Sequence, residues 1–255
     1  MHAIGEDKPV YCSKMGMKTL PLHFSREFNY KPVSTGEELS IGKRTLTFLE
    51  TKMIHWPDSM FTYVKEDGIL FSSDGFGQHY ARPEKFDDQI GEKIFIHAKK
   101  YYANILLLYS DKIQKLIGDV ISMGLDIKTI CPDHGIIWRK NPSSIINAYV
   151  EWTKQKSEKK AVVVYDSMWH STELMAEMIV DGIANEGVEA RPMNLRNWHR
   201  SDVMTAVMDA GAVVVGSPTL NNNIYPTVID FLTYMKGLKP KDKIGAAFGS
   251  FGWSG

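Results

Sequence analysis

Cysteine is scarce in this chain: Cys12 and Cys131 lie far apart and form no CxxC, so nothing points to a disulfide framework or a CxxC redox pair. Charge of one sign is not in excess either, since 30 basic residues balance 30 acidic ones; nothing steers the chain toward nucleic acid or a membrane surface. No apolar run approaches the roughly 20 residues that a spanning helix needs. The opening MHAIGEDKPVYCSK lacks the basic and then apolar order of a signal peptide. These absences predict a soluble protein of a reducing compartment, the cytoplasm. What is present is ample: 255 residues at 44% hydrophobic can bury a sizeable core in one or two domains.

Two phosphate-binding signatures are also missing, because the chain has neither a Walker A loop nor a GxGxxG in the stretch that most resembles a nucleotide site. That stretch is Ala161 to Gly187, AVVVYDSMWHSTELMAEMIVDGIANEG. Ala161 to Tyr165 has the length and Val content of a strand buried on both faces, and Leu174, Met175, Met178, Ile179 and Ile183 recur at helical spacing. Between them Ser167, Met168, Trp169, His170, Ser171 and Thr172 form a loop rich in hydroxyls at a helix N-terminus, where unsatisfied N–H groups and the dipole favour a phosphate. Gly187 stands where a C-cap would. A loop with hydroxyls and no Lys suits the phosphate of flavin mononucleotide. The plainer alternative is an ordinary strand and helix with Ser171 as N-cap.

Residues 1 to about 150 mix strands and helices. Pro9 to Cys12, Thr45 to Thr51, Met60 to Val64, Gly68 to Asp74 and Ile127 to Cys131 read as strands, and a helix is expected from about Ser13. Phe86 to Met123 reads as a long helical region divided near Ser110, and Ser144 to Thr153 as another helix. QKSEKK, apolar-free, reads as a linker, which sets a domain boundary near residue 157: 1–156 and 157–255. Beyond it, strands at 161–165, 188–193, 212–216 and 244–249 alternate with helices at 172–186, 201–209 and 226–236. Such alternation indicates βαβ units and a doubly wound parallel sheet. Ligands bind at the carboxyl ends of such strands. There the loop SPTLNNNIYP offers Pro218, Thr219, Leu220, Asn221 and Asn222, and SFGWSG offers Ser250, Phe251, Gly252 and Trp253, the last able to stack on a flat ring.

In the first half, His55 in IHWPDS, Asp74 in FSSDGFG and His134 in CPDHGIIW each stand at a strand end. Imidazole and carboxylate there suit iron, zinc or manganese. Each also has a bland reading: His55 packed beside Trp56, Asp74 as a turn residue before Gly, His134 in a surface pair with Asp133. The remaining histidines, His2, His23, His79, His97, His170 and His199, show no ligand spacing.

HWPDSMFTY, FSSDGFGQHYA, KYYANILL, CPDHGIIWR, VVVYDSMWHSTELMA, VVGSPTLNNNIYP and FGSFGWSG, in this order and over nearly the whole chain, resemble the flavodiiron proteins, also called A-type flavoproteins. The resemblance implies an α/β fold: a metallo-β-lactamase-like αββα domain with a non-haem di-iron site, then a flavodoxin-like domain with FMN. It implies reduction of dioxygen to water, of nitric oxide to nitrous oxide, or both, with electrons from rubredoxin or a similar small donor. His55 resembles the histidine on one iron, Asp74 the carboxylate bridging both, and His134 the histidine on the other. Ser167 to Thr172 resembles the FMN phosphate loop, and Pro218 to Asn222 and Ser250 to Trp253 the loops flanking the isoalloxazine ring. A head-to-tail homodimer or dimer of dimers is implied, with neither nucleic acid nor membrane as partner.

The family's H-x-E-x-D-H motif, source of the other iron ligands, precedes the region matching Gly5 to Lys14, and the last helix and strand of the flavodoxin-like sheet are not found. The chain is therefore expected to be an internal piece of a longer reductase with an incomplete iron site. Two other classes stay open: a zinc-dependent hydrolase of metallo-β-lactamase fold, which leaves an attached flavin module unexplained, and an FMN electron carrier without catalysis.

Overall fold

The computed structural model describes residues 7–253. His2, Gly5 and the last two residues of the terminal loop lie outside that range. The chain divides into two compact units, one running to Tyr101 and including Tyr109–Thr153, the other made of Tyr102–Leu108 and the chain from Lys154 onward. No helix among the described residues is long and apolar enough to cross a membrane, and Cys12 and Cys131 are both free thiols.

In the first unit, β1 (Pro9–Ser13) pairs in parallel with β2 (Asn29–Val33), the two being joined by α1 (Gly16–Phe24). The main sheet follows, in the order β3 (Glu38–Ser40), β4 (Thr45–Glu50), β5 (Met60–Val64), β6 (Ile69–Phe71) and β7 (Thr129–Cys131); its pairs are antiparallel except β6 with β7. Thr47, Phe48 and Leu49 are buried in succession, so β4 is covered on both faces rather than alternating. The core continues through Phe61, Leu70, Ile94, Ile130, Trp138, Ile145 and Tyr149. Around it lie α2 (Ile94–Tyr101), α3 (Ser110–Ser122) and α4 (Pro142–Thr153).

The first half differs from its sequence reading in several places. The strand expected over Gly68 to Asp74 stops at Phe71, because Ser72 turns the chain: its hydroxyl donates to Gly75 O at 2.6 Å and the Gly75 N–H returns to Ser72 O at 2.8 Å. The helix expected from Phe86 begins only at Ile94, after two short 3-10 turns. A π-helical turn at Tyr102–Leu106 then separates α2 from α3. β2 carries Pro32, a residue that mutes a strand signal and is tolerated at a sheet edge, and it was not expected.

The second unit is a parallel sheet in the order β9 (Glu189–Asn194), β8 (Glu158–Tyr165), β10 (Ala210–Leu220) and β12 (Ile244–Ser250), with β11 (Asn223–Ile224) folded back on β10. Its helices are α5 (Ser171–Asn185), α6 (Arg200–Asp209) and α7 (Pro226–Leu238). Ala161 to Tyr165 is buried throughout, as a strand covered on both faces requires. The QKSEKK linker is a strand in its second half: Glu158 pairs with Ala210 and Lys160 with Glu189, and the ladder overrides the polar composition.

Helix α5 also turns a different face to the sheet. Val163, Tyr165 and Ala176 pack with Ile179, Val180 and Ile183, whereas Leu174 and Met178 are 61% and 69% exposed. Gly187, at φ 67°, follows the helix and donates to Ala184 O at 2.9 Å; a left-handed residue here satisfies a free carbonyl of the last turn.

Candidate functional site

In the first unit the turn after β6 carries Asp74 between two histidines. His55 Nε2 lies 3.4 Å from Asp74 Oδ2 and His134 Nε2 lies 3.3 Å from Asp74 Oδ1. The side chains of all three are roughly a quarter to a third exposed: 28% for His55, 23% for Asp74 and 33% for His134. His134 Nδ1 is 3.2 Å from the carbonyl oxygen of Gln78. A carbonyl only accepts, so Nδ1 donates to it and Nε2 faces a carboxylate oxygen. A histidine oriented in this way by a backbone carbonyl is the usual arrangement of a metal ligand. One imidazole on each side of one carboxylate suits a metal pair, although among the described residues no group of three or more His, Cys, Asp or Glu side chains could hold one metal ion.

The surroundings fix this arrangement. A Cβ on Gly77 would lie 2.6 Å from His134 Cε1, so the residue there must be glycine for the imidazole to sit where it does. Gln78 is fully buried and knits the turn to the segment after His134: its Nε2 donates to Phe76 O at 2.7 Å and its Oε1 accepts from the Ile136 N–H at 2.7 Å. Tyr101 packs its ring 5.0 Å from that of His134, with a buried hydroxyl that has no partner; burial, with Asp74 adding to it, pushes its pKa far above the usual tyrosine range.

In the second unit the three loops leave one sheet edge side by side, because Gly216 is in register with Tyr165 on one flank and with Phe248 on the other. Thr172 Oγ1 and Ser250 Oγ are 2.8 Å apart, joining the first loop to the third. Ser167 is 6% exposed, and its Oγ has no partner. A buried hydroxyl left unsatisfied in a loop at a helix N-terminus fits an anion such as a phosphate. Ser171 is the first helical residue and His170 the N-cap, without a side-chain cap bond, so Ser171 does not act as N-cap. Met168 is half-buried in the same loop. His170 turns out to Glu173, with Nδ1 2.6 Å from Oε2. Trp169, Phe251 and Trp253 are exposed, Trp253 at 95%, and Gly252 is exposed between the last two.

The second loop differs from its expected form. β10 runs on through Pro218, Thr219 and Leu220, and Asn221 and Asn222, at φ 50° and 58°, turn it into β11. Two successive positive φ values are those of a type I′ hairpin turn, which Asn tolerates.

Sequence reasoning passed over Gln78 and Tyr101, and in the second unit Asp166. The Asp166 carboxylate is wholly buried and accepts from Arg196 Nε at 2.8 Å and from Thr227 Oγ1 at 2.5 Å. Its one sequence signal is an acidic residue ending an apolar strand.

Residues 1–135 match the family described as ODP family beta lactamase, and residues 163–255 match Flavodoxin. Over 251 residues the chain is 48% identical to a nitric oxide reductase of Moorella thermoacetica, covering 98% of this chain and 63% of that protein. It is 44% identical over 254 residues to a rubredoxin-oxygen oxidoreductase of Megalodesulfovibrio gigas, again covering 98% and 63%. Among solved structures, rubredoxin oxygen:oxidoreductase from Desulfovibrio gigas superposes with a TM-score of 0.94 at 44% identity, covering 97% of this chain and 63% of that one. The flavodiiron protein of Giardia intestinalis gives 0.91 at 38%, covering 97% and 61%. The chain thus spans somewhat under two thirds of the length of these relatives.

Proposed function

Because the chain belongs to the flavodiiron proteins, with an ODP family beta-lactamase domain ahead of a flavodoxin domain, we propose that it serves the reduction of dioxygen to water, of nitric oxide to nitrous oxide, or both. The observation that carries this reading is the Asp74 carboxylate, whose two oxygens each face the Nε2 of a different histidine. In it His55 and His134 would each hold an iron, with the Asp74 carboxylate between them as a further ligand. Iron bound there supplies electrons and Lewis-acid stabilisation of the reduced substrate. Gln78 fixes the His134 tautomer, and Tyr101 offers a protonated hydroxyl beside the ring. In the second unit the loop Ser167 to Thr172, with Ser250 beside it, would hold the FMN phosphate, and Pro218 to Asn222 and Ser250 to Trp253 would hold its ring. Relatives named rubredoxin-oxygen oxidoreductase and flavorubredoxin support a rubredoxin-type electron donor, and two free thiols suit the cytoplasm. A head-to-tail dimer completes the proposal.

Flavin and metal analysis of the purified protein tests it. About one FMN per chain is expected, with iron taken up on anaerobic loading. Zinc retained without FMN would instead favour a hydrolase, and FMN without any uptake of iron an electron carrier.

A further inference from the structure

We propose that Asp166 is the positioning residue of the flavin site, its buried carboxylate fixing the phosphate loop to the two loops beside it; this rests on the flavin reading above. Asp166 directly follows β8 and is completely buried. A carboxylate so placed must be fully hydrogen-bonded and charge-compensated. Oδ1 accepts from the Ser167 N–H at 2.6 Å and from Arg196 Nε at 2.8 Å, and Oδ2 from Thr227 Oγ1 at 2.5 Å. These donors come from three stretches: the phosphate loop, the turn after β9, and the first turn of α7. The backbone N–H of Asp166 also donates to Gly216 O at 3.3 Å, so one residue ties together the ends of β8, β9 and β10 with the start of α7.

The network continues toward the second cofactor loop. Arg196 Nη2 donates to Tyr225 Oη at 3.4 Å, and the Tyr225 N–H donates to Ser217 Oγ at 2.9 Å, at the foot of SPTLNNN. Arg196 also cancels the buried charge, so that a phosphate above the loop meets a neutral pair rather than an anion. Moreover, the Ser167 N–H is taken by Asp166, whereas Ser167 Oγ has no partner. Asp166 therefore turns the Ser167 hydroxyl, not its amide, toward the ligand. Both effects act on the phosphate end of the cofactor, which distinguishes positioning from general support of the sheet.

The test is titration of the full chain, stripped of flavin, with FMN and with riboflavin, followed by quenching of flavin fluorescence. Asp166→Asn keeps the shape and removes the charge, and is expected to weaken FMN about tenfold or more, the scale of a hydrogen bond to a charged group. Riboflavin, which lacks the phosphate, should weaken much less. Thr227→Val, at an exposed position, should weaken FMN several-fold and carries the test if Asp166→Asn does not fold. Arg196→Lys should recover much of the affinity lost in Arg196→Gln. FMN affinity within twofold of wild type in Asp166→Asn and Thr227→Val, or equal weakening of FMN and riboflavin, overturns the inference while leaving the flavin reading intact. A wild-type chain that takes up no flavin overturns both.

Discussion

Ser167 offers a clean separation of stability from binding. Its Oγ is buried without a partner, so Ser167→Ala removes a desolvated hydroxyl that contributes nothing to the flavin-free fold. Stability of the apoprotein should stay within about 0.5 kcal/mol or rise slightly in a urea melt, while FMN affinity falls roughly tenfold; an apoprotein clearly destabilised by the change would mean that the hydroxyl has a partner within the chain. Gly77 gives the opposite pattern. A methyl group there meets His134 at 2.6 Å, so Gly77→Ala should cost about 1–3 kcal/mol as an overpacked site does and shift the imidazole resonances of His134, with those of His170 unchanged. At this scale His55, Asp74 and His134 could be singled out as candidates because each is a ligand-type side chain in a short loop after an apolar run, and the fold brings both histidines within 3.4 Å of Asp74. Asp166 could not, since Arg196 and Thr227 lie 30 and 61 residues away and no local spacing records such a partnership. Tyr101 was hidden for another reason: in KYYANILL it reads as one more aromatic of a buried helix face.

The hairpin β10–β11 is where an element departs most from its sequence reading. NNN suggests a polar loop, yet its first two residues make a two-residue turn that lets β10 run to Leu220. Asn221, at φ 50°, should therefore accept Gly with little change in stability, whereas Asn221→Val should destabilise by about 1–3 kcal/mol, the cost of a strained left-handed residue. Urea melts of the two variants check this, and equal midpoints would remove the turn from the account. The long parallel strands and their helices were legible because Val-rich runs and helical spacing are local signals. The second half of QKSEKK was not, because Glu158 and Lys160 become strand only through pairing with Ala210 and Glu189. The same holds for the turn at Ser72, which ends β6 by hydrogen bonds and not by composition.

For the whole molecule, the donor count sets an expectation about metal. His55, Asp74 and His134 would give each metal one imidazole and a share of one carboxylate, and among the described residues no group of three or more His, Cys, Asp or Glu side chains could hold one metal ion. Iron loaded anaerobically onto this chain should thus be held weakly and lost on dialysis against a chelator, with the rest of each coordination sphere filled by water; two irons per chain surviving that dialysis would reveal ligands beyond these three. In the flavin half, the proposal is that three loops on one sheet edge hold FMN by its phosphate. Its most direct measurement is calorimetric titration of the flavin-free chain with FMN beside riboflavin. One FMN per chain is expected, with an affinity for riboflavin at least about tenfold lower, the scale of the charge-assisted contacts that the phosphate would make. Equal affinity for the two flavins, or no uptake of FMN, would contradict it.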